Sequence, residues 1–215
     1  MIGELFDPKA NLSIDEHYRS HWSQAGAIVF VTFRTRDSIP RDVLIRWRRE
    51  KIEWLEAKGI FIQGDIDEAI SRLSAADAND FRKMFNRQRE LHLDKCHGKC
   101  VLRNPELAKI VADSLLHFDL DRYHMGDFVI MPNHVHLLAA FKSQEGMRAQ
   151  FDSWLHWTAA RINRARGESG HFWQEEPFDH LVRSNRQYAY LREYIRNNPK
   201  KAGLSAGEYF YYRCP

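Results

Sequence analysis

Apolar residues along the chain follow two different periods, and each period predicts a different kind of element. Short runs rich in β-branched and aromatic residues indicate strands, because such side chains fit a pleated, half-buried surface. The first run follows Gly26 and ends before the charged residues 34–37. The predicted strands are residues 27–33, 99–102, 123–130, 134–141 and 178–182.

Other segments place their apolar residues three and four positions apart, which is the spacing of one helix face. The predicted helices are residues 41–58, 65–93, 105–117, 146–166 and 187–203. We expect a break at 74–79 within the second helix. We expect Pro199 and then Gly203 to mark the end of the last one.

The order of these elements predicts the fold class. A strand, a helix, a pair of strands, a helix, a strand and a helix follow one another around one mostly antiparallel sheet. Because each element must bury its apolar side against another layer, we expect an α+β fold with helices on one face of the sheet. A chain of 215 residues is long enough to bury such a core as one domain.

Composition narrows the class of protein further. With 44% hydrophobic and 13% aromatic residues, the chain is expected to be globular rather than disordered. No stretch approaches the ~20 apolar residues of a membrane span, and the first residues lack the pattern of a secretory signal. Three cysteines, an odd number, argue against a disulfide framework. We therefore expect a cytoplasmic protein with no membrane partner.

The charge pattern adds one candidate interface. The formal net charge of +3 is only mildly basic, which permits nucleic-acid binding without proving it. A basic group within the last predicted helix is more informative, and we interpret its members as candidate phosphate contacts. They are Arg192, Arg196, Lys200 and Lys201.

The strand at 134–141 gives the first candidate chemistry. His134 and His136 stand two residues apart, and side chains at this spacing on a strand point to the same face. Val135 and Leu137 are expected to point to the opposite face, into a core. Two same-facing imidazoles on a rigid strand form half of a metal site.

The helix at 187–203 supplies the second candidate. Residues four apart share a helix face, so Tyr190, Tyr194 and Asn198 line up. An amide oxygen from Asn198 would add a third ligand to two imidazoles, and this mixed set is compatible with magnesium, manganese or zinc. Tyr194, one turn from Asn198, is the candidate nucleophile. Tyr190 lies one turn further away, and Tyr188 lies off this face.

These motifs together resemble the HUH-type single-tyrosine DNA transposases, and in particular the REP-associated tyrosine transposases of bacteria. The resemblance covers residues 24–40 and 96–204. It implies the ferredoxin-like variant of the α+β fold, in a single domain of residues 1–215 with a helical insertion at about 41–95. The matching segments are Met131-Pro-Asn-His-Val-His-Leu-Leu138, Phe172-Trp-Gln174 before Phe178–Val182, and Glu193-Tyr-Ile-Arg-Asn-Asn-Pro-Lys-Lys-Ala-Gly-Leu204.

The resemblance also implies a function. It is that of a metal-dependent transposase or endonuclease for single-stranded DNA, which cleaves and rejoins strands near hairpins such as REP elements. Tyr194 would form a 5′-phosphotyrosine and release a free 3′-hydroxyl. The implied cofactor is Mg²⁺ or Mn²⁺, held by His134, His136 and Asn198. We expect a monomer or a homodimer.

Other interpretations stay open at the level of sequence. A domesticated relative would bind DNA hairpins and regulate without cleaving. A zinc hydrolase based on His-x-His has less support, because no third histidine or carboxylate ligand pattern accompanies the pair. A separate zinc site is a further alternative, since four residues close in sequence carry soft ligands, although their spacing fits no common zinc module. They are His92, Cys96, His97 and Cys100.

Overall fold

An antiparallel sheet forms the centre of the protein. The computed structural model describes residues 1–10, 13–16, 20–62, 64–174 and 177–215, with the backbone alone at 13–16 and 20–23. The strands of this part of the chain are β1 (Ser13–Glu16), β2 (Ser20–Ser23), β3 (Ile28–Arg34), β4 (Tyr123–Ile130), β5 (His134–Phe141), β6 (Phe178–Leu181) and β7 (Phe210–Tyr212). β1 pairs with β2, and the other strands form a five-stranded sheet in the order β6-β3-β5-β4-β7. Every neighbouring pair is antiparallel.

The described part of the chain contains six α-helices. Several begin at a serine or asparagine whose side chain accepts a hydrogen bond from a backbone N–H of the first turn, as Ser143 and Ser184 do. None of the described helices is both long and apolar enough to cross a membrane. The helices are α1 (Arg41–Ala57), α2 (Ile66–Ser71), α3 (Ala75–Leu93), α4 (Pro105–Leu116), α5 (Gln144–Arg166) and α6 (Asn185–Lys201).

The central elements run in the order β3-α4-β4-β5-α5-β6, which is the split βαβ order of ferredoxin-like folds. This confirms the predicted α+β class with an antiparallel sheet. The prediction of helices on one face holds for α4 and α5, which share a core with the sheet. α6 packs on the opposite face of the sheet through Leu191, Tyr194 and Ile195.

The middle strand, β5, is buried along its whole length because helices cover both faces of the sheet. Val135, Leu137 and Ala139 belong to the core beneath α4 and α5. Leu138 and Ala140 belong to the core beneath α6. The alternation of a strand therefore brings His134 and His136, which share the parity of Leu138, to the α6 face.

Two local predictions are wrong. Residues 99–102 do not form a strand: Cys100 has a left-handed backbone with φ of 50°, and Val101–Arg103 form a short 3-10 helix. The apolar signal came from Leu102, which is fully buried. Pro199 does not end the last helix, because α6 continues to Lys201.

Gly203 does lie just past the end of α6, as expected. It has φ of +68° and donates its N–H to the carbonyl of Lys200, while Leu204 donates to the carbonyl of Pro199. A proline removes one N–H and crowds the carbonyl four residues earlier. Here Pro199 is itself buried within the last turn of α6, and glycine supplies the left-handed residue that stops the helix.

The segment 41–93 is helical, as predicted, and contains α1, α2 and α3. The break between α2 and α3 falls at residues 72–74, slightly before the predicted 74–79, because Ser74 caps α3 through a hydrogen bond from the N–H of Asp77. That this segment is an insertion into a single domain stays a prediction. The strands β1, β2 and β7 were not predicted from the sequence.

Asp127 fastens α6 to the sheet. It lies in an irregular stretch of β4, where the pairing with β5 shifts between Met125 and Phe128, and only 3% of the residue is exposed. The two carboxylate oxygens accept hydrogen bonds from Nε and Nη2 of Arg192 at 3.0 and 3.1 Å. They also accept from the Tyr211 hydroxyl and the Cys214 N–H. One carboxylate therefore joins β4, α6 and the segment around β7.

We predict that Asp127→Ala lowers the free energy of unfolding by about 2 kcal/mol, because several donors lose their shared acceptor. Urea unfolding measures this change. Asp113→Ala is a matched control, since its partner Lys109 lies one turn away on an exposed surface and such pairs contribute below about 0.5 kcal/mol. Equal effects of the two substitutions would contradict the role given to Asp127.

Candidate active site

The two histidines of β5 lie side by side beneath α6. Their ring centroids are 4.6 Å apart, and both His134 and His136 are 0% exposed. Strand alternation explains why they share a face. Because buried polar groups need partners, the contacts of each ring nitrogen determine what this pair can do.

Hydrogen bonds fix the protonation of His134. Its Nδ1 lies 2.7 Å from Oδ1 of Asn133, and Nδ2 of Asn133 donates to the carbonyl of His97 at 2.8 Å. With its amide nitrogen used in this way, Asn133 presents an oxygen that can only accept, so Nδ1 of His134 carries the proton. Nε2 then holds a lone pair, and it is buried without a hydrogen-bond partner among the described residues.

His136 is held between the sheet and α6. Its Nδ1 lies 2.8 Å from the hydroxyl of Thr32, its register partner on β3, and its ring stacks on Phe30. Its Nε2 lies 3.3 Å from the hydroxyl of Tyr194. The tyrosine of the predicted site therefore contacts a predicted metal ligand directly.

Asn198 is the other predicted ligand on α6, and it is fully buried. Its Nδ2 donates to Oδ1 of Asp94 at 3.1 Å, across the 104 positions that separate the two residues. Its Oδ1 is buried without a hydrogen-bond partner in the described chain. The amide oxygen is thus left with its lone pairs unused.

The tyrosines of α6 differ sharply in environment. Tyr194 is 6% exposed and contacts His136. Tyr190 is 63% exposed, with its ring 6.4 Å from that of Tyr194. Tyr188 is half-buried and lies beneath the guanidinium of Arg192. The contact with the histidine strand therefore favours Tyr194 over the other two as the reactive phenol.

Burial controls the electrostatics of the site. It lowers the pKa of His134 to about 3, an effect that the neighbouring Asn198 amide opposes. Burial, with a smaller contribution from His134, also holds the pKa of His136 well below its ordinary value. Both imidazoles are therefore neutral near pH 7, which is the form that binds metals.

The phenol of Tyr194 is difficult to ionise in this setting. Burial raises its pKa above the ordinary value, and the negative charges of Glu90 and Asp94 raise it further. The ammonium group of Lys201 lies 4.7 Å from the centre of its ring. Acidic residues at the end of α3 and a basic residue of α6 thus act on one buried phenol.

The donor atoms left over in the site suit a divalent cation. Nε2 of His134 and Oδ1 of Asn198 are both buried and unpartnered within the described residues, and such groups in a folded protein call for an explanation. Nε2 of His136 is in contact with the Tyr194 hydroxyl. Once that hydroxyl turns away, this nitrogen completes a set of two nitrogens and one oxygen, which is compatible with Mg²⁺, Mn²⁺ or Zn²⁺.

A more conventional metal cluster is absent from the described residues. No group of three or more histidine, cysteine, aspartate or glutamate side chains there could hold a metal ion. The alternative zinc site at residues 92–100 therefore lacks support, although the rings of His92 and His97 do lie 4.5 Å apart. Any site at His134 and His136 depends on the amide of Asn198.

The predicted phosphate contacts fall into two classes. Arg192 is already bound to Asp127, so its guanidinium has a clear structural role in fastening α6. Arg196 is exposed and pairs with Glu193 on the same helix, and Lys200 is exposed. Lys201 lies above the ring of Tyr194, the candidate nucleophile. Arg196 and Lys200 lie on the exposed surface of the same helix.

Several residues of the site have no sequence signal. Thr32 contacts His136 only because of the register between β3 and β5. Asp94 and Glu90 reach the site from α3, within the segment expected to be an insertion. Asn133 could have been assigned, since it precedes His134 in the Pro-Asn-His motif. Thr32, Asp94 and Glu90 lie at the site because of tertiary packing, which no local sequence pattern indicates.

Comparisons with known proteins give a likeness of fold. No family model matches the chain, and no curated protein matches it. Among solved structures, the chain is similar to a REP-associated tyrosine transposase bound to a REP hairpin. The two share 14% sequence identity, the similarity spans 89% of this chain and 76% of the other, and the TM-score is 0.41.

Because His134 and His136 are buried, we expect the stability of the fold to depend on pH. The pKa of His134 falls from 6.5 to about 3 on folding, so the unfolded chain binds the proton first. Stability present at neutral pH is therefore lost as the pH falls below about 6.5. At about pH 5 the protonation of His134 should lower the free energy of unfolding by about 2 kcal/mol relative to neutral pH.

Urea unfolding in chelator at about pH 7.5 and about pH 5 measures this loss for the wild type and for His134→Gln. The variant should lose about 2 kcal/mol less on acidification. The buried carboxyls of Glu90 and Asp94, whose pKa values are raised by burial, act in the opposite direction, so the comparison is made between the two proteins. An identical pH dependence in both would contradict the assigned protonation of His134.

Proposed function

We propose that the protein is a metal-dependent DNA strand transferase that cleaves and rejoins single-stranded DNA through Tyr194. One observation carries the proposal: the Tyr194 hydroxyl lies 3.3 Å from Nε2 of His136, beside two buried ligand atoms of His134 and Asn198 that have no partner among the described residues. A nucleophile thus adjoins a ligand set that is suited to a cation.

Three side chains would hold Mg²⁺ or Mn²⁺: His134 and His136 through Nε2, and Asn198 through Oδ1. The lone pair on Nε2 of His136 would then serve the ion in place of its contact with the Tyr194 hydroxyl. When bound, such an ion would supply positive charge to neutralise a non-bridging oxygen of the scissile phosphate. The protein's own contribution is orientation. Asn133 fixes the ring of His134, and Thr32 and Phe30 fix the ring of His136, as ligands generally require.

Tyr194 is suited to a reversible covalent step. Its phenolic oxygen would attack phosphorus and form an O–P bond, while the bond from phosphorus to the 3′-oxygen breaks. The 5′ end then remains on the tyrosine as a phosphodiester, and the released 3′-oxygen takes up, by way of water, the proton that the phenol gives up, and becomes a hydroxyl. Because phenoxide is a better leaving group than a serine alkoxide, the same linkage supports rejoining.

Activation of Tyr194 is linked to occupancy of the site. Burial and the carboxylates of Glu90 and Asp94 raise the pKa of the phenol. His136 is a weak base because burial lowers its pKa, so the hydrogen bond between them orients the phenol without ionising it. Ionisation requires added positive charge beside Tyr194, which is where the ligand set would place it.

Single-stranded DNA near a hairpin is the proposed substrate, as the resemblance in motifs implies. Exposed groups on α6 are compatible with it. Tyr190 offers an aromatic surface next to Tyr194, and single-strand binding often combines base stacking with basic groups. Arg196, Lys200 and Lys201 supply the positive charge, whereas Arg192 is retained by Asp127. The proposal therefore assigns phosphate contact to the first three.

We predict that Tyr194→Phe abolishes a covalent protein–DNA adduct while preserving folding and DNA binding, because only the attacking oxygen is removed. Tyr190→Phe is the matched control on the same helix and should retain the adduct. The assay incubates each protein with single-stranded oligonucleotides that carry a hairpin, or with duplexes of equal length, and resolves adducts on denaturing gels.

The outcomes separate the candidate functions. An adduct that survives Tyr194→Phe and disappears in Tyr190→Phe would transfer the nucleophile to Tyr190. Hairpin binding by the wild type with no adduct under any metal would favour the non-cleaving regulator. Equal affinity for blunt duplex and hairpin single strand would count against the proposed substrate.

We predict that chelation stops cleavage reversibly without unfolding the protein, since the core does not depend on a metal. His134→Ala combined with His136→Ala should abolish cleavage with Mg²⁺ or Mn²⁺. Asn198→Ala should cause a smaller loss because water can replace one oxygen ligand, and Asn198→Asp should shift the metal preference. Circular dichroism confirms that each variant is folded. Undiminished cleavage in excess chelator would overturn the metal mechanism.

A further inference from the structure

We propose that Asp94 is a positioning residue, which orients the amide of Asn198 so that its oxygen faces the two histidines. The inference rests on the proposed function and extends it to a residue outside all the motifs. It also makes the end of α3 a part of the site, although α3 lies in the segment that sequence predicts to be an insertion.

The geometry of the amide carries this inference. A side-chain amide has one donor end and one acceptor end, and rotation by half a turn exchanges them. Oδ1 of Asp94 accepts a hydrogen bond from Nδ2 of Asn198 at 3.1 Å, and this contact selects the orientation of the amide in which Nδ2 faces Asp94. Oδ1 of Asn198 is then directed away from Asp94, where it is buried and unpartnered in the described chain.

The side-chain amide of Asn198 is a neighbour of the His134 imidazole. His134 has its proton on Nδ1, which binds Asn133, so its Nε2 carries a lone pair. Two lone-pair atoms without a donor between them repel each other, and a cation is one partner that would satisfy both, as a water that donates to each would be. Without Asp94, the amide of Asn198 could turn and donate Nδ2 to Nε2 of His134. That hydrogen bond would use the histidine lone pair and remove the oxygen ligand.

Asp94 is firmly placed for this task. It follows the last residue of α3, and its backbone N–H donates to carbonyls of that helix, Glu90 and His92. The preceding residue, Leu93, is fully buried in a small core with Ile39, Val43 and Trp47. The carboxylate thus stands on an anchored helix end, which is the kind of support that orients metal ligands.

Metal affinity tests the positioning role without relying on turnover. Free Mn²⁺ is measured by electron paramagnetic resonance during titration of the whole protein. Asp94→Ala should weaken Mn²⁺ binding by about tenfold or more. Asp94→Asn should stay within about threefold of the wild type, because its amide oxygen can still accept from Asn198. Asp80→Ala, an exposed position on the same helix, is the matched control and should bind as the wild type does.

A double-mutant cycle separates positioning from direct ligation. If Asp94 acts through Asn198, adding Asp94→Ala to Asn198→Ala causes no further loss of Mn²⁺ affinity. A full additional loss would make Asp94 a ligand in its own right and overturn the positioning role. Asp94→Ser, whose side chain is too short to reach Asn198, replaces the alanine variant if that variant fails to fold.

Failure of this inference is distinguishable from failure of the proposed function. Mn²⁺ binding that is unchanged in His134→Ala would show that no metal site exists at these residues, and the proposed function would fail with it. Binding that depends on His134 but is unaffected by Asp94→Ala would overturn only the role of Asp94. Loss of affinity in Asp94→Ala, with recovery in Asp94→Asn and no additivity with Asn198→Ala, supports it.

Discussion

The complete burial of β5 is the constraint on which the rest of the site depends. A strand covered on both faces has no water to satisfy its polar side chains, so each one needs a partner from the protein. His136 finds Thr32 and Tyr194, while His134 finds Asn133 for one nitrogen and none among the described residues for the other. A polar pair in such a place is costly to the fold, and that cost favours a functional explanation over chance.

Much of the fold was accessible from the sequence because its signals are local. The strand pair at 123–141, the capped helices and Gly203 follow from alternation, capping and glycine geometry. The wrong predictions came where burial outweighed local propensity. The apolar Leu102 was taken as part of a strand although it is a buried residue of a 3-10 helix, and the buried Pro199 lies inside a helix that it was expected to end. β7, three residues long, is too short for its pattern to stand out from a loop.

The residues of the candidate site also fall into two groups, those with a local sequence signal and those without one. His134 and His136 share a face because of strand period, and Tyr194 and Asn198 because of helix period, so both pairs are visible in the sequence. That the two pairs meet depends on α6 packing beneath the sheet, which no local pattern specifies. Thr32 and Asp94 join through contacts that span 104 positions each. Residues brought in by tertiary structure alone are those that reading along a chain does not find.

The burial of Tyr194 has a consequence for how the proposed reaction would be restricted to its proper substrate. At 6% exposure, with its hydroxyl bound to an imidazole, the phenol is shielded from stray electrophiles and from strands that collide with the surface at random. Under the proposed function, damage to unrelated DNA is restrained by concealment of the reactive atom as well as by recognition. Selectivity would then begin with the protein before DNA binds, because the Tyr194 hydroxyl stays buried until a suitable strand has entered the site.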